Sequence, residues 1–535
     1  PEQIAAAEAL LDLEFTPAQR QQMRKTLADR LGHLAALRAN PLDNSVPLSL
    51  HFKVKAADPA PAAVPRSYAM SAQPPVTRPA DLEEAAFYTV TQLAELIRSR
   101  QVTSLELTEM YLARLRRYDP QLQCVAAYTD DLAIRQAKRA DDEIARGQYR
   151  GPLHGIPWGA KDLLAPRGYP TQWGAKPYQG QQIDVDATVV HRLEAAGAVL
   201  IANGDVWYGG VTKNPWDTSE GSSGSSAGPG AATAAGLVGF SIGSETMGSI
   251  VSPSSRCGVS GLRPTYGRVS RYGAMALSWS LDKIGPMCRS VEDCALVFSA
   301  IYGPDGLDMS LTPEPFKWDP ALDPRSLRIG YVASAFTAAD AGDTDAHHRP
   351  AGEELQRVND VNSAAVLDEM RAQGFELTPI ELPDTDIQGL WVILAAEAAA
   401  AFDQITRAGS VDALTRQDDD AWPNVFRAAR FIPAVEYINA NRVRSQIIAD
   451  MARLMNDLDV FISPSYGGRT LGLTNMTGHP TVVLPNGFTN KRTPTSITFV
   501  GGLHQEAETL AVAKAYQDGA DWHRQYPNLD EGEAV

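Results

Sequence analysis

Cysteine is scarce in this sequence. Four of 535 residues are cysteine, at Cys124, Cys257, Cys288 and Cys294. A disulfide framework is excluded at that density. The spacing of Cys288 and Cys294 fits no zinc pattern, and no histidines bracket it. The four read as small core residues, which leaves the redox compartment open. Positive charge is also in deficit: 48 Lys and Arg stand against 64 Asp and Glu, a formal net charge of -16. So acidic a surface repels phosphate backbones, so nucleic acid is not an expected partner, and anionic membranes are disfavoured. No run approaches the roughly 20 apolar residues that a membrane helix needs. Residues 1–7 lack the pattern of a signal peptide. The expectation is a soluble, cytoplasmic protein with no membrane partner. A chain that starts at Pro1 leaves export by a removed upstream signal open. His347-His348 has no third ligand nearby, so residues 337–353 read as a polar surface loop.

With 44% hydrophobic and 21% charged residues, the composition is that of a globular enzyme. Residues 1–55 read as a helical segment. Thr16 can cap a helix, Pro17 suits its first position and Gln19 completes a capping box. Met23, Leu27, Leu31, Leu34 and Leu37 or Arg38 follow at helical spacing. That stripe must pack against the main body or a partner. Residues 56–84 are rich in Pro and Ala, which predicts an extended linker. Residues 85–535 read as one catalytic domain. Helical patterns at Leu93, Leu96 and Ile97, then at Leu107, Tyr111 and Leu115, give way to alternation. Helices are predicted at 189–196, stopped by Gly197, and at 227–235; strands are predicted at 198–201 and 238–243. Helix-strand alternation implies a layered α/β/α domain with a mixed, mostly parallel central sheet.

Three stretches carry candidate chemistry. Gly155-Ile-Pro-Trp-Gly-Ala-Lys161-Asp162-Leu163 sets one lysine in an apolar, glycine-bearing surrounding. Ser219-Glu-Gly-Ser-Ser-Gly-Ser225-Ser226-Ala-Gly-Pro-Gly230 precedes a run of small residues. Gly243-Ser-Glu-Thr-Met-Gly-Ser249-Ile250 is the third. Small residues let backbone amides approach a ligand, and a Gly/Ser-rich turn opening a helix presents free N–H groups. Such donors stabilise the negative charge that acyl transfer develops. A serine there can attack once its proton is taken. A lysine can take it only when neutral, and burial lowers a lysine pKa. By the residues alone, a flexible loop, a helix cap or a phosphate-binding loop remain alternatives. The last is disfavoured because neither G-x-x-x-x-G-K-[ST] nor G-x-G-x-x-G follows a strand.

The run from Ser223 to Pro286 resembles the signature of the amidase signature hydrolases. Its landmarks are S-G-S-S-A-G, G-S-E-T-M-G-S-I, C-G-V-S-G-L-R-P-T-Y-G and S-L-D-K-I-G-P. The lysine stretch resembles the family's upstream motif, and segments near Leu473–Pro480 and Val483–Phe488 resemble its closing motifs. The likeness runs from about Phe87 to Pro527. It implies a Ser–cis-Ser–Lys triad, with Ser249 as nucleophile, Ser225 as bridging serine after a cis peptide, and neutral Lys161 as base. It implies an oxyanion hole from the N–H groups of Thr246, Met247, Gly248 and Ser249, with no metal and no cofactor. The substrate implied is a small amide; an ester or carbamate is the nearby alternative. A homo-oligomer is compatible with it. Two departures stand out. Met247-Gly248 replaces the family's Gly-Gly, and Asn203-Gly-Asp-Val-Trp-Tyr208 replaces its K-T-N-x-x-E segment.

Other residues weigh less. His154 and His479 read as structural, Cys257 as a core residue rather than a nucleophile, and Asp282 as a hydrogen-bonding support. Trp207, Tyr208, Trp279 and Trp391 are candidate pocket walls, with ordinary packing the commoner role. The N-terminal helical segment faintly resembles the small, non-catalytic component of the bacterial tRNA-dependent amidotransferase. A glutaminase component of such an assembly is therefore the second functional reading, and a catalytically dead binding protein the third.

Overall fold

The computed structural model describes residues 1–40, 42–50, 66–72, 75–204, 208–336, 353–465 and 468–530. Its centre is an eleven-stranded sheet. In spatial order the strands are Leu377–Ile380, Ile329–Val332, Val460–Pro464, Pro494–Gly501, Thr481–Phe488, Ser260–Arg263, Lys283–Cys288, Phe240–Glu245, Pro157–Lys161, Val199–Gly204 and Ala127–Tyr128. Every residue of Pro157–Lys161, Val199–Gly204 and Lys283–Cys288 is buried, so both faces of the sheet centre are covered. This is the layered α/β arrangement read from the sequence.

The sheet is mixed, but the expected parallel majority is not there. Four neighbouring pairs are parallel and six are antiparallel. The reason is local in one case: Thr481–Phe488 and Pro494–Gly501 are joined by residues 489–493 alone. That is too short for the crossover that parallel neighbours require.

Individual elements follow their sequence signals. Helix Thr188–Ala195 ends two residues before Gly197, whose φ is +86°. A Cβ at Gly197 would lie 2.3 Å from the His154 ring, so glycine serves there for both conformation and space. Strand Val199–Gly204, helix Ala227–Ala234 and strand Phe240–Glu245 follow. Residues 51–65, 73 and 74, most of them in the Pro/Ala-rich stretch, lie outside the described residues. Arg66–Tyr68 is extended and pairs in parallel with Phe316–Trp318. His347-His348 also lies outside the described residues.

The N-terminal segment forms helices Glu2–Leu10 and Pro17–Arg38. Both bonds of the Thr16–Gln19 capping box are made. Pro17–Arg38 docks on the body, but by a corrected face. Met23, Arg30, Leu34 and Leu37 are buried, whereas Leu31 is 67% exposed. The inward positions 23, 27, 30, 34 and 37 step by three or four residues, and an arginine occupies one of them. Burial takes in its guanidinium as well and pushes that group's pKa down to about 10. Gly389 admits this helix closely: a Cβ there would lie 2.9 Å from the Leu37 backbone. Leu37→Ala is therefore expected to lower unfolding free energy by about 2–5 kcal/mol. Leu31→Ala should change it by no more than about 0.5 kcal/mol. Urea denaturation of the two variants checks the face.

Candidate active site

Lys161 ends strand Pro157–Lys161, which lies between Val199–Gly204 and Phe240–Glu245 in the sheet. The side chain is buried. Its Nζ lies 2.7 Å from Ser225 Oγ, 3.1 Å from Ser226 Oγ and 3.1 Å from Ser244 Oγ. Two of those hydroxyls have different duties. Ser226 Oγ donates to the Ser244 carbonyl at 3.0 Å and accepts the Ser244 N–H at 3.1 Å, so its proton is committed. Ser225 is exposed, and the peptide Gly224–Ser225 is cis. Gly243 makes the close approach possible, because a Cβ there would lie 2.8 Å from Ser226 Oγ.

Strand Phe240–Glu245 runs directly into the turn Thr246-Met247-Gly248-Ser249, and helix Val251–Cys257 follows. Glu245 fixes both sides of that turn. Its fully buried carboxylate accepts the N–H groups of Ile250 (2.8 Å) and Val251 (2.9 Å). It also accepts from Arg263 Nη1 (2.7 Å) and Asn475 Nδ2 (2.8 Å). Asp282 holds the near end, accepting Thr246 Oγ1 at 2.7 Å and the N–H groups of Leu277 and Ser278. The N–H groups of Thr246, Met247, Gly248 and Ser249 donate to no acceptor among the described residues. Gly248 has φ +130°, and a Cβ there would lie 3.2 Å from Leu471. Met247 does not stand free beside the turn; its side chain is buried in an apolar cluster with Leu281, Leu473 and Met476, which Leu34 and Leu37 of the docked helix also join.

Ser249 is half-buried, and its carbonyl accepts the Ser226 N–H at 3.2 Å. The structure thus joins Lys161 to Ser225 directly and sets Ser225 and Ser249 on adjoining turns. No hydrogen bond between the two hydroxyls is formed among the described residues. Catalytic contacts are often long before substrate binds.

Burial disfavours the charge of Glu245, but Arg263 and the donated N–H groups outweigh it, and its pKa lies below the ordinary 4.5. A carboxylate depressed in the folded state stabilises above its unfolded value and loses that contribution as pH falls through the folded one. Glu245→Gln leaves the fully buried Arg263 without a counter-charge. It is expected to lower stability at neutral pH by about 3–5 kcal/mol and to flatten the loss of stability on acidification. Urea titrations at neutral pH and across the acid limb measure both.

The remaining candidates make other contacts. His154 Nδ1 accepts the Arg150 N–H at 3.1 Å, and Nε2 lies 3.1 Å from Glu143. His479 shares a 2.8 Å hydrogen bond with Thr477, and burial beside Arg263 pushes its pKa down to about 3. Burial pushes the Cys257 thiol up to about 12, which disfavours a thiolate nucleophile. All four cysteines are buried and unpaired. Trp279 is exposed, Trp391 is packed against the apolar cluster, and Tyr208 donates to Gln172 Oε1 at 3.0 Å. Trp207 lies outside the described residues. Sequence reasoning missed Ser226, Ser244, Glu245 and Arg263. A signal was present: a charged residue inside a run of small and apolar ones must be paired to be buried.

The α/β sheet thus brings a buried lysine and a serine/glycine-rich turn together at the ends of its central strands. The chain belongs to the amidase signature family and is an amidohydrolase: the family profile described as Amidase matches residues 106–474. A glutamyl-tRNA(Gln) amidotransferase component from Chloroflexus aggregans is 34% identical over 504 residues, covering 84% of this chain and 99% of that one. A Mycobacterium tuberculosis protein bearing an amidase name, AmiD, is 34% identical over 469 residues, covering 82% of this chain and 95% of that one. The native peptide amidase of Stenotrophomonas maltophilia has a TM-score of 0.70 at 28% identity, with 84% of this chain and all of that one covered. Among the described residues, no helix is long and apolar enough to cross a membrane.

Proposed function

We propose that the chain hydrolyses a small carboxylic amide through an acyl-enzyme on Ser249, with Ser225 and neutral Lys161 as the proton relay. The observation that carries this reading is Lys161 Nζ at 2.7 Å from Ser225 Oγ. A neutral amine has two N–H donors and one lone pair. Ser226 Oγ, whose own proton goes to Ser244 O, must accept one of those N–H groups. Ser244 Oγ can accept the other. The lone pair then faces the Ser225 hydroxyl. Ser225 passes its proton to Lys161 and takes that of Ser249, which attacks the amide carbonyl. The N–H groups of the turn 246–249 receive the developing oxyanion. The relay runs backward to protonate the leaving amine, and water resolves the ester by the same route.

A second reading is supported by the amidotransferase relatives: glutamine hydrolysis for an assembly that amidates charged tRNA. Rates on L-glutamine, primary amides, p-nitroanilides, esters and carbamates decide between them. The proposal expects amides to be cleaved by the isolated chain. Turnover of glutamine alone, and only with added partner proteins, would favour the second reading.

A further inference from the structure

An aromatic wall stands beside the relay. Asp162 directly follows Lys161. Its carboxylate accepts the N–H groups of Gln172 (3.0 Å) and Gly174 (3.1 Å), and its carbonyl accepts that of Trp173 (3.0 Å). Residues 172–174 are thereby hung on the end of the lysine strand. Opposite them, Met275 N donates to the Leu163 carbonyl at 3.0 Å, and Leu277 is tied to Asp282, the residue that also holds Thr246. One anchor is next to the lysine and the other next to the nucleophile turn. Between them Trp173, Tyr178, Met275 and Leu277 pack against Phe402 and Phe426. The Trp173 and Tyr178 rings are 4.4 Å apart, and Trp173 meets Phe402 edge-on at 6.3 Å. Trp173, Tyr178, Met275 and Leu277 are each only half-buried, so each keeps an accessible face.

The acidic groups around this wall are engaged within the protein. Asp162 and Asp282 hold backbone N–H groups, and Glu397 accepts from Ser278, Ser280 and Tyr437. One polar atom in the wall is left over. Trp173 Nε1 is buried and donates to no acceptor among the described residues. With almost no accessible surface this N–H is out of reach of a ligand, so what the half-buried indole offers is its ring.

We infer that this wall receives a bulky aromatic portion of the amide substrate, with the Trp173 ring as the specificity-determining group. The inference rests on the Ser249–Ser225–Lys161 reading, since it places the wall beside that relay. A neutral, ring-lined surface favours apolar groups and offers no counter-charge to the α-carboxylate of glutamine.

The test uses the full chain and four amides: phenylacetamide, 4-pyridylacetamide, acetamide and L-glutamine. Wild type is expected to show kcat/KM for phenylacetamide at least about tenfold above acetamide and glutamine. Trp173→Ala should lower the phenylacetamide value about tenfold or more while leaving acetamide within about twofold. Trp173→Leu, which keeps apolar bulk but removes the ring, should lower phenylacetamide and 4-pyridylacetamide about three- to tenfold and leave acetamide within about twofold. Should Trp173→Ala fail to fold, Trp173→Leu carries the comparison. Preference for acetamide or glutamine, or an equal loss on all four amides in both variants, would overturn the inference. A small fluorophosphonate separates the two levels. Failure to label wild type at Ser249 strikes the relay itself, whereas normal labelling without aromatic preference strikes only the pocket.

Discussion

Ser249→Ala is expected to lower kcat/KM for any amide substrate by about ten-thousand-fold or more, with folding stability nearly unchanged. The hydroxyl is half-buried and makes no hydrogen bond among the described residues, so the fold does not lean on it. The turn that carries it is held instead by Glu245 and Asp282. In the proposed relay, loss of the nucleophile removes the acyl-enzyme route, and only the binding site and backbone donors remain. Steady-state rates measured beside a urea denaturation curve separate the two effects. Ser225→Ala should be similarly damaging, while Cys257→Ser should retain turnover, because that buried thiol is held protonated. Near-normal turnover in Ser249→Ala would reassign the nucleophile.

Lys161→Arg is expected to be as damaging as Lys161→Ala, each by about a thousandfold or more in kcat. Arginine keeps a positive charge but does not deprotonate in proteins, so it has no lone pair to face Ser225. Its planar fork also cannot reproduce a single nitrogen reached by three hydroxyls at 2.7–3.1 Å. Because the base must be neutral, wild-type kcat/KM should rise with pH through one ionisation to a plateau. Both variants should lose the ionisation. Wild-type turnover in Lys161→Arg would leave the lysine as an electrostatic support and return attention to His154 and His479. Their placements argue against that outcome: each is held within its own turn, and His479 is pushed down to about 3.

Much of this was legible in the sequence where the signal is local. The Thr16–Gln19 box fixed a helix start, and Gly197 fixed a helix end, because each acts through its neighbours' backbone. The lysine and the two serine stretches stood out as candidates because small residues crowd around them, and their proposed roles came from the family resemblance. What the chain does at a distance was less so. Arg30 reads as a surface residue but lies inward, while the neighbouring Leu31 is exposed. The strand directions of the sheet depend on partners far away in sequence, and six antiparallel pairings are invisible to residue alternation. Trp173 carries no motif at all. Its position follows from Asp162 gathering three N–H groups after the lysine strand, which only the fold reveals. Glu245 and Arg263 sit inside recognisable runs, yet their pairing across the sheet had to be seen.

The central claim is an ester on one serine, and trapping it is the most direct measurement. Wild-type protein is treated with a small fluorophosphonate, digested, and mapped by tandem mass spectrometry, with Ser249→Ala and Lys161→Ala treated in parallel. A single adduct on Ser249 is predicted in wild type, with none in Ser249→Ala and much slower labelling in Lys161→Ala. An adduct on Ser225, Ser226 or Cys257 with Ser249 unmodified, or labelling of Lys161→Ala at the wild-type rate, would contradict the mechanism.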